Sequence, residues 1–517
     1  PFPPPAPPLP ICPRAEPRTS MMSVSTTEPQ TASHTASQTA DSARKSSLYA
    51  KHNKIYPKSV AGTFRRLKWL TLVLLLGLYY VTPWIRWDRG PNAPDQAVLV
   101  DMPGRRLYFF FIELWPQQIY YLTGALILGA IGLFLATALA GRVWCGYACP
   151  QTVWSDLFLW VERRIEGDRG DRIRLDNAPW SPVKLGKKTA KHAAWLLIAL
   201  LTGGAWVFYF NDAPTLALEM LRFEASSSVL LFIGLFTATT YLLAGHAREQ
   251  VCVYMCPWPR FQAAMQDEES LTVTYEDWRG EGRGHLKRSQ SWEERKAKGL
   301  GDCIDCGACV HVCPTGVDIR NGPQLACIGC GLCVDACNGV MARIGRPGDL
   351  IRFDSLNAQI ARANGAKPSF KPIRPRTIIY TLLLTVVGGM MAAGLVLKPK
   401  VDVNILRDRA PLFVTLSNGD IQNAYTVKVL NMTREAQSYR LSVTGLSGAA
   451  LSVAGGEGEA ADGSVPVQAD PDSVATHRVL VRVPREALRQ PSTPMAFVVA
   501  RQPDGLTVQH ESVFLAP

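Results

Sequence analysis

The sequence predicts a multi-domain chain: an α-helical membrane domain of about five spans, then a small cysteine-rich α+β module, then a C-terminal all-β sandwich. Three observations predict this architecture. Five apolar runs have membrane-spanning character, eight cysteines recur at a doubled spacing between residues 303 and 337, and short alternating runs dominate from residue 401 onward. Hydrophobic residues form 47% of the 517-residue chain, but its mean hydropathy is only +0.03, which indicates apolar blocks separated by polar ones.

Residues 1–60 are rich in Pro, Ser and Thr. They are predicted to form a disordered N-terminal segment, because such a composition cannot bury a core. No apolar stretch with a small-residue cleavage site precedes Lys51, so no signal peptide is expected. The apolar runs lie at 69–85, 119–140, 193–210, 229–244 and 377–397. Each is interpreted as a transmembrane helix, although the run at 229–244 is the shortest.

The distribution of Lys and Arg predicts how the chain crosses the membrane. Residues 141–191 carry ten of them and residues 341–376 carry eight, whereas the loop 211–228 carries only Arg222. Loops rich in Lys and Arg stay on the cytoplasmic side. We therefore expect a cytoplasmic N-terminus, a cytoplasmic cysteine-rich module and an exported C-terminal domain. The loop 86–118, with four arginines, is an exception to this pattern.

Eight cysteines form two runs with the same spacing, Cys-x2-Cys-x2-Cys-x3-Cys. They are Cys303, Cys306, Cys309 and Cys313, then Cys327, Cys330, Cys333 and Cys337. This is the ligand pattern of a two-cluster bacterial ferredoxin-like module, in which the fourth cysteine of each run ligates the other 4Fe-4S cluster. We expect one cluster on Cys303, Cys306, Cys309 and Cys337, and the second on Cys327, Cys330, Cys333 and Cys313.

Zinc and disulfides are the alternatives for these eight cysteines. A zinc site closes with four ligands and needs no remote fourth cysteine, repeated twice. Disulfide frameworks are typical of small secreted domains rather than of a segment with basic flanks. The doubled spacing therefore favours two 4Fe-4S clusters as cofactors.

Four further cysteines follow two of the apolar runs. Cys145 and Cys149 precede a proline, and Cys252 and Cys256 do so as well, so both sites read Cys-x3-Cys-Pro. Matching ends indicate an internal repeat whose four thiols converge at the membrane surface. Cysteines four apart share a helix face, and soft thiolates select Cu(I), Zn or Fe–S. Buried cysteines are also small hydrophobes, but two matched pairs beside a cluster module favour metal or redox chemistry.

Other polar residues give weaker signals. His192 and His246 flank the third and fourth runs, where an interfacial histidine is more often a hydrogen-bonded bystander than a ligand. The chain has no Cys-x2-Cys-His haem motif, no Walker loop and no Gly-x-Gly-x2-Gly opening a helix. Electrons must therefore come from a cytoplasmic donor or a membrane quinol. Membrane lipid is an expected partner, and nucleic acid is not.

Beyond residue 401, short alternating runs are separated by Gly, Asn, Asp and Pro. This pattern predicts an all-β domain of about seven strands, most simply a sandwich. It is either a binding platform or a passive folding unit. The predicted division is a disordered segment at 1–60, a membrane domain at 61–265, a ferredoxin module at 266–345, a basic linker at 346–376, a fifth span at 377–397 and the β domain at 398–517.

The order of these features resembles the CcoG/RdxA/FixG family, membrane polyferredoxins that are accessory proteins of cbb-type cytochrome c oxidases. The likeness covers residues 50–517 and rests on the two Cys-x3-Cys-Pro motifs, the eight-cysteine module, one more span and a β tail. The segment YEDWRGEGRG at 275–284 is also similar to that family, except that Gly282 stands where a proline is expected.

The resemblance implies an oxidoreductase of the bacterial inner membrane that reduces Cu(II) to Cu(I) for oxidase assembly, with a periplasmic Ig-like C-terminal domain. Copper would be its substrate, handled by Cys145, Cys149, Cys252 and Cys256. Copper-handling or oxidase-assembly proteins would be its partners, and a homodimer stays open. Two other functions stay open as well: a quinol-linked electron-transfer subunit, and an assembly scaffold whose β domain binds the oxidase.

Overall fold

Helices occupy the apolar runs in the computed structural model. It describes residues 54–90, 93–287, 290–397, 401–433, 435–455, 463–502 and 507–517, of which those from Ile55 onward belong to one unit. Five of the described helices are long and apolar enough to cross a membrane, at Thr63–Trp84, Pro116–Ala140, Pro182–Val207, Ser227–Ala247 and Pro375–Val396. The prediction of five spans is confirmed.

The described α-helices are α1 Thr63–Val81, α2 Tyr120–Ala140, α3 Pro150–Glu166, α4 Arg169–Asn177, α5 Pro182–Val207, α6 Ala213–Leu221, α7 Ser227–Thr240, α8 Trp258–Met265, α9 Asp277–Gly280, α10 Trp292–Ala297, α11 Ala308–Val312, α12 Leu332–Arg343, α13 Leu356–Ala363 and α14 Pro375–Val396. Short 3-10 turns lie at Thr82–Trp84, Pro116–Gln118, Ile319–Asn321 and Arg485–Ala487, and π-helical turns at Trp144–Ala148, Tyr241–Ala247 and Val251–Met255.

Helix α3 ties the membrane helices to one another by lying along α5. The ring of Phe158 stacks on Trp195 with 5.4 Å between centroids, and Trp154 donates its indole N–H to the Thr202 hydroxyl at 2.9 Å. Near the end of α3, Glu166 pairs with Lys191 at 3.0 Å. Because α3 begins directly after Cys149, these contacts also fix where the first Cys-x3-Cys-Pro motif ends.

The loop 86–118 carries a three-stranded antiparallel sheet of β1 (Val98–Asp101), β2 (Arg106–Phe109) and β3 (Ile112–Leu114). Arg106, on β2, donates through Nη1 to the Asp472 carboxylate at 2.5 Å and through Nη2 to the Asp472 carbonyl oxygen at 2.8 Å. Its guanidinium also lies 3.9 Å from the centre of the Trp115 ring. The loop therefore holds the C-terminal domain through a half-buried arginine.

The cysteine-rich module contains an antiparallel pair, β4 (Thr272–Tyr275) and β5 (Ile351–Asp354). Strand β5 and helix α13 fall within residues 346–376, so the predicted linker is wrong. Val273, Leu350 and Ile351 are buried in one core with the cluster cysteines, which explains why this segment folds back. The pairing joins positions nearly eighty residues apart, and a local pattern does not reveal it.

The C-terminal domain has nine strands in its described residues, rather than about seven. They are β6 Val401–Arg407, β7 Val414–Thr415, β8 Ile421–Asn431, β9 Gln437–Thr444, β10 Ala450–Val453, β11 Val465–Ala469, β12 Ser473–Val483, β13 Ser492–Gln502 and β14 Thr507–Leu515. One sheet runs β10-β12-β8-β6 with β7 on β8, and the other runs β11-β9-β13-β14. The all-β prediction is confirmed, and the short β7 and β10 account for the difference in number.

Residues 1–53 lie outside the described residues, so their predicted disorder stays a prediction. Residues 55–60, in contrast, are fixed by specific contacts, which corrects the predicted segment 1–60. The Ser59 amide and hydroxyl donate to the Asp168 carboxylate at 2.9 and 2.7 Å. Val60 packs on the cluster around Ile328 and Cys330. Residues 55–60 therefore contact both the cysteine-rich module and the residue just before α4.

Candidate functional site

The first ligand set gathers around one cavity inside the module. The thiols that line it are those of Cys303, Cys306, Cys309 and Cys337. Burial raises the pKa of Cys337 to about 12, and the neighbouring thiols of Cys309, Cys303 and Cys306 contribute to the rise. The structure thus brings the last cysteine of the second run to the first three cysteines of the first run.

The hydroxyl of Tyr275 provides a test of what this cavity accommodates. It is buried and, apart from the Cys303 thiol beside it, has no hydrogen-bond partner among the described residues, and Tyr275 lines the cavity with the four cysteines. Burial, and next the neighbouring Cys303, raise the pKa of Tyr275. A buried hydroxyl requires an acceptor, which the sulfur atoms of a ligated 4Fe-4S cluster would provide. The residues present therefore fit a cluster.

The second ligand set includes the last cysteine of the first run. Burial raises the pKa of Cys333 well above its usual value, and the thiols of Cys330, Cys327 and Cys313 act in the same direction. Cys309 of the first set is also among the thiols that raise it. The two sets therefore lie side by side, with Cys313 in the second set and Cys337 in the first.

Two left-handed glycines allow the close approach of backbone at the second set. Gly331 has φ +72° and precedes α12, where an added Cβ would lie 2.7 Å from the ring of Phe64. Gly329 has φ +66°, and its Cβ position lies 3.3 Å from the backbone of Arg142. A side chain at either position would separate the cysteine loop from the membrane domain.

Both Cys-x3-Cys-Pro motifs form π-helical turns of matched geometry. The Cys149 amide donates to the Trp144 carbonyl at 2.9 Å, and the Cys256 amide donates to the Val251 carbonyl at 2.8 Å. Each second cysteine is extended, with ψ of 128° and 121°, as a following proline requires. The sequence places these cysteines on the last turns of the spans. Instead, the second span ends at Ala140 and the first motif is a separate turn after it.

The segments that precede the two Cys-x3-Cys-Pro motifs have corresponding positions, but their Ala-Gly pairs lie at different distances from the first cysteine. Gly141 and Arg248, each four residues before the first cysteine of its motif, have φ of 58° and 39°. Arg248 is therefore the counterpart of Gly141, although the Ala-Gly pair of the second half ends at Gly245. The π-helix Tyr241–Ala247 accommodates the extra residues, as π-helical insertions commonly do at functional sites.

The four thiols of the two motifs are electrostatic neighbours. Burial raises the pKa of Cys252 to about 12, with contributions from Cys149, Cys145 and Cys256. Burial also raises the pKa of Cys145 to about 11, with Cys149 and Cys256 acting in the same direction. The Cys145 thiol donates to the buried Gln262 side-chain oxygen at 3.1 Å. The structure thus brings all four predicted membrane cysteines together, and binding of a metal there would displace protons.

This thiol group lies directly against the loop of the second ligand set. Tyr147, between the two cysteines of the first motif, donates its hydroxyl to the Cys330 carbonyl at 2.9 Å. A Cβ at Gly146 would lie 3.0 Å from the Cys330 Cα. Cys145 and Cys252 themselves pack on the hydrophobic cluster that contains Cys330. The first cysteine of each motif therefore packs against the cysteine loop.

Arg142 joins the same elements from the side. Its guanidinium donates to the Cys327 carbonyl and to the Pro259 carbonyl, both at 3.0 Å, and also to the Leu325 carbonyl. Burial lowers the pKa of Arg142, although Cys327 and Cys145 oppose the effect. One arginine therefore joins the segment just before the first Cys-x3-Cys-Pro motif to the start of α8 and to the loop that carries Cys327.

Within the described residues, no three His, Cys, Asp or Glu side chains are grouped to hold one metal ion. In this arrangement, neither the eight module cysteines nor the four membrane cysteines form a closed site for a single ion.

The two interfacial histidines are packed among aromatic side chains. Their rings stack with 5.8 Å between centroids, and the Nδ1 of His192 shares a 2.8 Å hydrogen bond with the Tyr241 hydroxyl. Trp195 meets both rings edge-on. These contacts agree with the interpretation of His192 and His246 as structural residues.

Comparison with known proteins places the chain. Residues 247–356 match a family model described as a "4Fe-4S dicluster domain", and residues 391–517 match one for the "IG-like fold at C-terminal of FixG". The "Nitrogen fixation protein FixG" of Rhizobium meliloti is 47% identical over 468 residues, which covers 85% of this chain and 88% of that protein. The chain belongs to the FixG/RdxA family. Protein RdxB of Cereibacter sphaeroides is 52% identical over 420 residues, covering 81% of this chain and 87% of that protein.

A solved FixG-related protein from Vibrio parahaemolyticus is 23% identical over 23% of this chain and 96% of its own, with a TM-score of 0.20. A further family model, described as a "4Fe-4S binding domain", matches residues 122–167, which contain Cys145 and Cys149. The expected family and its Ig-like C-terminal domain are confirmed. This FixG/RdxA protein is an iron–sulfur electron-transfer protein with membrane-spanning helices.

Proposed function

We propose that this protein is a cupric reductase of the bacterial inner membrane that supplies Cu(I) for assembly of a cbb-type oxidase. The observation that carries the proposal is the contact between the first Cys-x3-Cys-Pro motif and the Cys330 loop, made through Gly146 and Tyr147, together with the packing of Cys145 and Cys252 on the hydrophobic cluster that contains Cys330. Electrons held at the ligand cysteines would need to cross only this loop to reach an ion bound at the thiols.

The chemistry of the thiols supports copper as the substrate. Cu(I) prefers sulfur ligands, so thiolate ligation favours the gain of one electron by Cu(II). When bound, the 4Fe-4S clusters supply one-electron transfer, which matches this step. The partly buried thiols of Cys145 and Cys252 have raised pKa values, so they would release their protons as the metal binds.

The experiment replaces Cys149 and Cys256 with Ser in the full-length protein and measures Cu(II) reduction after chemical reduction of the clusters. We expect loss of Cu(II) reduction with unchanged iron content and unchanged cluster EPR signals. Cys12→Ser is the matched control, because Cys12 lies outside both motifs and both cluster runs. Full activity in the double variant with intact clusters would remove these thiols from the reaction.

The proposal includes the orientation of the protein in the membrane and the proteins that receive the copper. The cysteine-rich module faces the cytoplasm and the β domain faces the periplasm, on the basis of the Lys and Arg distribution. Copper-handling or oxidase-assembly proteins would receive the Cu(I). The Arg106–Asp472 contact holds the β domain at the membrane surface, where such partners would meet it.

A quinol-linked electron-transfer subunit is the second candidate. An apolar cavity between the membrane helices, beside Cys149, favours it. The two candidates differ in what accepts the electrons. If added Cu(II) speeds the reoxidation of reduced protein, the cupric reductase is favoured, and if it does not, the quinol-linked subunit is favoured.

A further inference from the structure

A cavity of about 370 Å³ lies between α1, α5, α7 and the first turn of α3. Four aromatic side chains, Tyr79, Trp154, Trp206 and Phe236, form much of its lining. Tyr79 meets Trp154 edge-on at 5.3 Å between ring centroids, and Trp206 meets Phe236 at 5.4 Å. These contacts hold the walls in place, and the volume is that of a small-molecule site.

The polar groups of this cavity are few and neutral. No charged side chain is among the residues that line it, which disfavours a metal ion or a phosphate-bearing headgroup, because a buried charge needs a partner. Gln151 donates its amide nitrogen to the carbonyls of Leu243 and Arg248 at 2.8 and 3.1 Å. Its side-chain oxygen accepts no hydrogen bond within the described part of the chain. That oxygen and the Thr240 hydroxyl suit a ligand that carries a hydroxyl or carbonyl group on a flat apolar ring.

The cavity is joined to the redox site by sequence and by a shared wall. Pro150 and Gln151 line it and directly follow Cys149. Gln151 also lines a second, small cavity together with Cys252 and Ile328, beside the cysteine loop. A ligand in the aromatic cavity therefore lies one side chain away from the membrane thiols.

We infer that this cavity binds a quinol, which serves as the electron donor of the protein. The inference deepens the proposed function, since it names the donor for the same thiol and cluster sites. Oxidation of a quinol to the quinone breaks two O–H bonds and releases two electrons and two protons. The electrons match the two one-electron acceptors that the eight ligand cysteines would hold. The two protons are released to water.

The test fills the cavity without touching a cysteine. Thr240→Phe adds an aromatic ring to the lining, and Leu235→Phe adds the same ring on α7 at a position half-exposed to the membrane and outside the lining. Full-length protein is titrated with decylubiquinone while tryptophan fluorescence is followed, because Trp154 and Trp206 lie in the wall. In copper-free liposomes, cluster reduction by decylubiquinol is followed by EPR.

We expect saturable quenching in the wild type and in Leu235→Phe, and binding weaker by about tenfold or more in Thr240→Phe, the result of overpacking a preformed site. Quinol-driven cluster reduction should fall in parallel, while dithionite reduces all three proteins equally. Equal quenching and equal reduction in Thr240→Phe would overturn the inference. So would a phospholipid that copurifies with the wild type, is lost in Thr240→Phe and is not displaced by the quinone. Cu(II) reduction by dithionite-reduced protein is measured separately, so failure of the quinol site and failure of the copper proposal are distinguishable.

Discussion

The hydroxyl of Tyr147 donates a hydrogen bond of 2.9 Å to the carbonyl oxygen of Cys330. This bond joins the turn between two membrane thiols to a loop that holds ligands of the second cluster set. Tyr147 is 7% exposed, so water does not replace the bond when it is lost. This hydrogen bond helps to fix the distance between the membrane thiols and the second cluster set. Removal of the Tyr147 hydroxyl oxygen tests it.

Tyr147→Phe should cost about 1 kcal/mol of stability through loss of this hydrogen bond, and it should slow Cu(II) reduction without loss of iron. The matched control is Tyr425→Phe in the β domain, because the buried Tyr425 hydroxyl likewise donates to a backbone carbonyl, that of Val513, at 2.9 Å. The control should lower the unfolding temperature similarly and leave Cu(II) reduction unchanged. Equal reduction rates in the two variants would show that the Tyr147 contact is structural only.

Gly146→Ala tests the same contact by addition. The new methyl group would lie 3.0 Å from the Cys330 Cα and from the Ile328 carbonyl oxygen, so the cysteine loop and the turn Trp144–Ala148 must move apart at a cost of about 1–3 kcal/mol. Gly339→Ala on α12 is the control, because nothing lies within 4 Å of its Cβ position. We expect slower electron transfer from dithionite-reduced clusters to Cu(II) in the first variant alone, measured by stopped-flow spectroscopy.

The sequence predicts the ligand set because cluster ligation depends on spacing along the chain. It does not predict the exact turn that carries the membrane thiols, since the π-helical turn Trp144–Ala148 has no periodic signature. The role of Arg248 as the counterpart of Gly141 is hidden for the same reason. The repeat is visible in the spacing of the cysteines. In the second half, however, three extra residues separate the Ala-Gly pair from the first cysteine, so the Ala-Gly pairs of the two halves do not align.

The other differences between the sequence prediction and the structure arise from contacts between residues far apart in the sequence. Strand β5 is short and lies in a basic segment, and only its partner β4 makes it a strand, so a linker is the natural prediction from composition. Tyr275 and Tyr147 resemble ordinary aromatic residues in the sequence. Their importance arises from what the fold places beside their hydroxyl groups, namely the Cys303 thiol and the Cys330 carbonyl.

Tyr275→Phe should lower the reduction potential of one cluster and leave the other unchanged. The buried hydroxyl lies beside Cys303 without another partner in the described residues, and hydrogen bonds to cluster sulfur raise the potential. A bond of about 1 kcal/mol corresponds to about 40 mV for one electron. Redox titration followed by EPR measures both clusters in the same sample, so the unshifted cluster is the internal control. A uniform shift of both would contradict this assignment.

The assignment of Cys337 to the first cluster and of Cys313 to the second can be tested by combining Tyr275→Phe with substitutions of these two cysteines. Anaerobic wild-type protein should contain about eight irons per chain, because two 4Fe-4S clusters account for all eight module cysteines; about twelve would indicate that the membrane thiols hold a cluster instead of copper. Cys337→Ser should abolish the cluster whose potential responds to Tyr275→Phe, because the Cys337 thiol lines the Tyr275 cavity. Cys313→Ser should abolish the other cluster and preserve the response, because Cys313 lies with Cys327, Cys330 and Cys333. The reverse result would mean that each run binds its own cluster, and the potential titration distinguishes the two pairings even if both variants lose half of their iron.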